Sequence, residues 1–122
     1  MENYQLKKFV EDGKKIAKTK GFNTFNHLGV VVDERPNNAV YVESTHCWVT
    51  PIENEIEQLF FEPTSPCHEL LKNNSHLCFE VEDLSKYIEQ YPILLEPFEG
   101  AWGKAVFLNV DGWVFELLEP IK

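Results

Sequence analysis

No hydrophobic run in this chain approaches the ~20 residues that a membrane-spanning helix needs, and the N-terminal stretch lacks the apolar core of a secretory signal. A cytoplasmic protein without a membrane partner is expected. Cysteine is scarce as well: there are three, Cys47, Cys67 and Cys78, an odd number with no CxxC spacing. That usage argues against a disulfide scaffold and for reduced thiols. Basic residues are few, 11 against 20 acids for a net charge of -9, and six of them fall in the first 20 residues. The N-terminal segment therefore carries +3 and the remainder -12. An acidic body repels a phosphate backbone, so nucleic acid is not expected as a partner.

What is present suits one small domain: 122 residues, 43% of them hydrophobic, suffice for a single core. Residues 2 to 19 place Leu6, Phe9, Val10, Gly13, Ile16 and Ala17 on one stripe at helical spacing, with Gly21 placed to stop the helix. Strands are predicted at 25 to 32, 38 to 43, 46 to 52 and 55 to 62, then at 75 to 81, 92 to 98, 103 to 110 and 113 to 119. A short helix is predicted at 83 to 90, opened by an Asp or Ser cap. Asp111-Gly112 is a strong hairpin signal.

The chain is an internal duplication. His27-Leu28-Gly29-Val30-Val31-Val32-Asp33 and His76-Leu77-Cys78-Phe79-Glu80-Val81-Glu82-Asp83 open two similar halves, closed by Phe60-Phe61-Glu62-Pro63 and Leu117-Leu118-Glu119-Pro120. The second half is longer by eight residues, about the length of its helix, so the first half is read as having lost its crossover helix. The N-terminal helix is then expected to cover the apolar underside formed by Leu28, Val30 and Val32. The expected division is a helix at 1 to 21, module one at 22 to 66 and module two at 67 to 122. A pseudo-twofold axis would bring the two histidines together, and imidazoles with carboxylates are a common metal-binding set. Strand alternation puts His27, Gly29 and Val31 on one face, along with His76, Cys78 and Glu80. On the last strand it adds Val114, Glu116 and Leu118. A carboxylate between Phe115 and Leu117 requires a metal or a hydrogen-bond partner to offset its desolvation.

These residues resemble the vicinal oxygen chelate superfamily, which includes glyoxalase I, bleomycin-resistance proteins and extradiol dioxygenases, and most closely its methylmalonyl-CoA epimerase-like branch. The resemblance rests on Glu62-Pro63-Thr64-Ser65-Pro66, on the His76 to Leu84 strand and its sequel, and on Gly103 to Leu108, Asp111-Gly112 and Phe115 to Pro120. It implies an α+β fold of paired βαβββ modules forming a cupped, eight-stranded mixed sheet, here with an extra N-terminal helix. It makes His27, His76 and Glu116 metal ligands. The family's fourth ligand stands four residues before the proline, at Leu59 here; Glu57 shares its facing, and Gln58 could turn inward at a bulge, with Glu57 ranked first. The glutamate base of the epimerase has no counterpart in His46-Cys47-Trp48-Val49, where His46 or nearby Glu43 would substitute.

The implied cofactor is one divalent ion, with Zn, Mn, Co, Ni and Fe all compatible. The implied reaction is proton transfer next to a carbonyl of a small acyl-thioester or 2-hydroxycarbonyl substrate by an epimerase, isomerase or lyase, with Glu116, Glu57, His46 and Glu43 as the candidate catalytic groups. The competing expectation is a non-catalytic binding or sequestering protein on the same fold. The expected partners are a small-molecule substrate and a second copy of the chain. Trp102 is the candidate for lining an entrance, while Trp48 and Trp113 read as core or pocket wall. Cys47 and Cys78 read as small packing residues, and neither Cys67-His68 nor His76-x-Cys78 has the spacing of a structural zinc site.

Overall fold

The computed structural model describes residues 3 to 121. Its elements run α1 (Asn3–Thr19), β1 (Thr24–Val31), β2 (Val40–Val42), β3 (Cys47–Val49), β4 (Ile56–Phe61), α2 (Glu69–Asn73), β5 (His76–Glu80), α3 (Ser85–Ile88), β6 (Ile93–Gly100), β7 (Gly103–Val110) and β8 (Trp113–Pro120). Residue 2 of the expected helix lies outside the described residues, and no described helix is long and apolar enough to cross a membrane. The eight strands form one curled mixed sheet in the order β2-β3-β4-β1-β5-β8-β7-β6. The order is a palindrome of the two modules. β1 pairs with β4 in parallel and β5 with β8 in parallel, while β1 and β5 meet antiparallel at the centre. A duplicated sequence thus gives a pseudo-twofold sheet with both histidine strands in the middle.

The two faces of the sheet are covered differently. On the convex side, Leu28, Leu77, Phe79, Val106, Leu108, Val110, Phe115 and Leu117 form the main core with Ala17 and Phe22, and Leu6, Phe9, Val10 and Ile16 of α1 pack on it. Burying this many large side chains at ~1.5–3 kcal/mol each is what holds the helix to the sheet. The stripe read from the sequence is the one buried. Its position is more central than expected: Phe9 meets Trp113 at 5.0 Å between centroids, and Gly13 lies where a Cβ would strike Leu77 of β5. So α1 covers the junction of the modules as well as Leu28 and Val30. At the outer strands of module one Arg35 lies 4.5 Å above the Trp48 ring.

On the concave side Leu71 of α2 and Cys67 just before it pack against Leu94, Phe107 and Val114. This short helix roofs the module-two half of the cup. The expected crossover helix is present but shrunk to the four residues of α3, and Asp83 Oδ1 accepts from the N–H and hydroxyl of Ser85 at its start.

Candidate metal centre

The site is built from two rows of side chains running across the middle of the sheet. Register places His27, Cys78 and Glu116 side by side on β1, β5 and β8. The next row places Glu57 beside Gly29 and Gly29 beside His76, on β4, β1 and β5. Alternation turns all of them toward the concave face. His27 would not reach that face on parity with Phe25, which packs in the convex core; a register shift between Phe25 and His27 leaves Asn26 as an extra residue and reverses the facing.

The groups converge. His27 Nε2 lies 3.4 Å from Glu116 Oε1 and 3.7 Å from Glu57 Oε1, and His76 Nε2 lies 3.3 Å from Glu116 Oε1. Two sets of potential ligand atoms lie within 4.8 Å of one another: His27, Glu57 and His76, and His27, Cys78 and Glu116. His76 is 0% exposed and His27 4%. Yet His27 Nε2 and both ring nitrogens of His76 are buried without a hydrogen-bond partner, the nearest carboxylate oxygens standing 3.3 to 3.7 Å away. A buried polar atom left unpaired costs roughly 1–3 kcal/mol, so these three buried nitrogens call for a further partner.

The ring of His27 is held in one orientation from behind. Its Nδ1 is 2.7 Å from Asn26 Oδ1, and Asn26 Nδ2 donates to Glu80 Oε2 at 3.2 Å. The Glu80 contact fixes which end of the Asn26 amide faces the imidazole, so Nδ1 carries a proton and Nε2 is the nitrogen turned toward the site. Burial opposes protonation of His27, but the carboxylates of Glu116 and Glu57 outweigh it and raise its pKa from 6.5 to about 9. Burial likewise works against ionised Glu116, and the two histidines overcome it, lowering that pKa from 4.5 to about 2. Without a cation, then, the cluster is held by an imidazolium between two carboxylates.

Of the residues singled out from the sequence, His27, His76, Glu116 and Glu57 come together. Gln58 faces the other way: it lines a surface cavity of about 580 Å³ with residues 32 to 37, on the face opposite Glu57. His46 is not among the clustered groups; its ring nitrogen Nδ1 is 2.7 Å from Thr64 Oγ1. Glu43 is exposed in a one-turn 3-10 helix and is also outside the cluster. Trp102 is 46% exposed on the β6–β7 turn and packs edge-on to Phe98, which stacks on Phe107, whose ring in turn meets His76 at 4.7 Å. That aromatic series joins the turn to the cluster. Sequence reasoning missed Gly29, where a Cβ would lie 2.1 Å from the His76 ring. It also missed Asn26; a bulge at one residue leaves no periodic signal.

No family model matches the sequence, and no curated protein matches it. Among solved structures the chain is similar to a hypothetical protein from Bacillus halodurans C-125, with a TM-score of 0.55 and 17% identity over 81% of this chain and 95% of that one. The likeness is one of fold.

Proposed function

We propose that the cup binds a divalent metal and that the protein is a metal-dependent epimerase, isomerase or lyase of the vicinal oxygen chelate type, acting next to a carbonyl of a small acyl-thioester or 2-hydroxycarbonyl substrate. The observation that carries this reading is the convergence of His27, His76, Glu57 and Glu116 with three buried imidazole nitrogens unpaired. Two neutral imidazoles and a carboxylate fit Zn, Mn, Co, Ni or Fe. The Asn26 and Glu80 contacts behind His27 are what such a site uses to orient a ligand.

His27, His76 and Glu116, the more enclosed groups, are the ligands. Bound there, the ion would polarise a substrate carbonyl and stabilise negative charge on its oxygen. Glu57 is the less enclosed carboxylate, 17% exposed against 11% for Glu116, and stands on β4 of module one. Its carboxylate takes the proton from the carbon next to the carbonyl and returns it. On the module-two side the cluster is bordered by Phe107, which packs under α2 against the His76 ring.

Two measurements test this together. Elemental analysis of the purified protein should find close to one metal per chain, and His76→Ala should abolish it, with circular dichroism showing that the variant, which loses a buried ring, is still folded. Incubation with 2-acyl thioesters or 2-hydroxycarbonyl compounds in deuterated water should wash deuterium into the carbon next to the carbonyl. Glu57→Gln should stop that exchange while retaining metal; Glu116→Gln should weaken the metal itself. Bound metal with no exchange across the panel would move the protein to the second reading, a sequestering module. The roof that α2 places over half the cup favours that alternative.

A further inference from the structure

We infer that Cys78 contributes a sulfur donor to the metal centre. The inference rests on the metal-site reading and adds a ligand that the paired histidines and carboxylates do not include. Cys78 stands in the middle of its row, directly across from His27 on β1 and from Glu116 on β8, and faces the cup. Its Sγ, a His27 nitrogen and a Glu116 oxygen all lie within 4.8 Å of one another. It is 0% exposed, yet it belongs to neither hydrophobic cluster of the protein. Its close polar neighbours are His27 and Glu116; burial and then the Glu116 carboxylate push the free thiol up, so a bound cation is what would draw off its proton. A residue chosen to fill space would sit among hydrocarbon; this one sits beneath unpaired imidazole nitrogens that are themselves buried.

The duplication sharpens the point. His27-x-Gly29 aligns with His76-x-Cys78, so glycine and cysteine occupy equivalent places either side of the axis. Gly29 is empty because the His76 ring fills the space above it. Cys78 instead puts a sulfur one bond beyond its Cβ on the floor of the cup, while His27 and Glu116 reach over from both sides. On binding, the S–H bond breaks, its proton leaves to solvent, and the thiolate pair forms the metal–sulfur bond. A soft thiolate in a set of imidazole and carboxylate selects Zn, Co or Fe over Mn and Mg.

Cobalt(II) is the probe. Titrated into the metal-free full-length protein, it should produce a thiolate-to-cobalt charge-transfer band in the near ultraviolet beside the visible ligand-field bands. The double variant Cys47→Ala, Cys67→Ala should keep the charge-transfer band and Cys78→Ala should lose it, with the ligand-field bands persisting and zinc affinity falling roughly 10- to 100-fold. Ligand-field bands without charge transfer in the unmodified protein would overturn the assignment and leave the metal site standing. That reading needs no variant to fold. Failure to take up cobalt at all would overturn both the site and its sulfur.

Discussion

The two modules share a plan and divide the work. Module two is the rigid half: β7 and β8 are eight residues each, and from Val114 to Leu117 every residue is buried. Module one is thin, with three-residue strands β2 and β3, and all three residues of β2 are exposed. The site groups follow the same gradient. His76 is more enclosed than His27, and Glu116 more than Glu57. Equivalent positions have diverged: the buried half encloses His76 and Glu116, and the open half leaves His27 and Glu57 nearer to solvent. Gly29, at the place in module one equivalent to Cys78, is the same divergence at the level of a single side chain.

Breaking that last difference should have the largest effect. Gly29→Ala places a Cβ 2.1 Å from the His76 ring, which is held by Phe107 and cannot retreat. Overpacking of this kind costs roughly 1–3 kcal/mol of stability, and displacing a ligand ring should weaken metal binding by at least about 100-fold. Urea denaturation and metal titration measure the two losses separately. Binding at unaltered affinity would show that the space above Gly29 is not what admits the His76 ring.

The next test separates the halves by charge rather than by volume. With the pKa of His27 raised from 6.5 to about 9, its pairing stabilises the metal-free protein fully below pH 6.5 and is lost as the pH rises through 9. Glu116, lowered from 4.5 to about 2, contributes fully above pH 4.5 and loses its contribution as the pH falls through 2. Stability of the metal-free protein should thus be highest between about pH 4.5 and 6.5 and decline toward pH 9, by something on the order of 2 kcal/mol. Metal-loaded protein, in which His27 is already neutral, should lack the alkaline decline. Denaturation midpoints from pH 5 to 10, with and without metal, decide it; coincident flat curves would remove the imidazolium from the cluster.

Much of this centre could be read before the structure, because it depends on period-two alternation and on repetition. His76, Cys78 and Glu116 follow from strand parity alone, and the repeat supplies His27. Parity also ranked Glu57 over Gln58, and the sheet places the two on opposite faces. What stayed hidden is what has no period. The bulge at Asn26 reverses the facing of Phe25 relative to His27. Helix α2 is five residues long, too short to show a stripe, and its packing on the cup depends on contacts with the later strands β6, β7 and β8. Cys78 was legible in position but not in role: a small apolar residue on a strand reads as packing until its neighbours are known to be charged.

The smallest effect tests whether module one pays for its looseness in its turns. Both β hairpins that close the modules use a two-residue turn with positive φ at both positions, Asn54-Glu55 (52°, 64°) in module one and Asp111-Gly112 (53°, 90°) in module two. Such turns favour Asn or Asp followed by glycine. Module two has that pair and adds a 2.8 Å ion pair from Lys20 to Asp111; module one holds a glutamate in the left-handed region. That conformation costs a residue with a Cβ roughly 1–2 kcal/mol, against about 0.5–1 kcal/mol of extra chain entropy lost by glycine. Glu55 is exposed, and its carbonyl, which accepts from Leu28 N–H at 2.8 Å, is kept in any substitution. Glu55→Gly should therefore stabilise the protein by about 0.5–1 kcal/mol, a rise in Tm of about 2–4 °C. Gly112→Ala should lower Tm by a similar amount, because it imposes on module two the strain that module one already carries. A Glu55→Gly variant that melts no higher than the parent would mean that the turn is held by its strands rather than by its own residues, and that module one is less strained than its backbone angles imply.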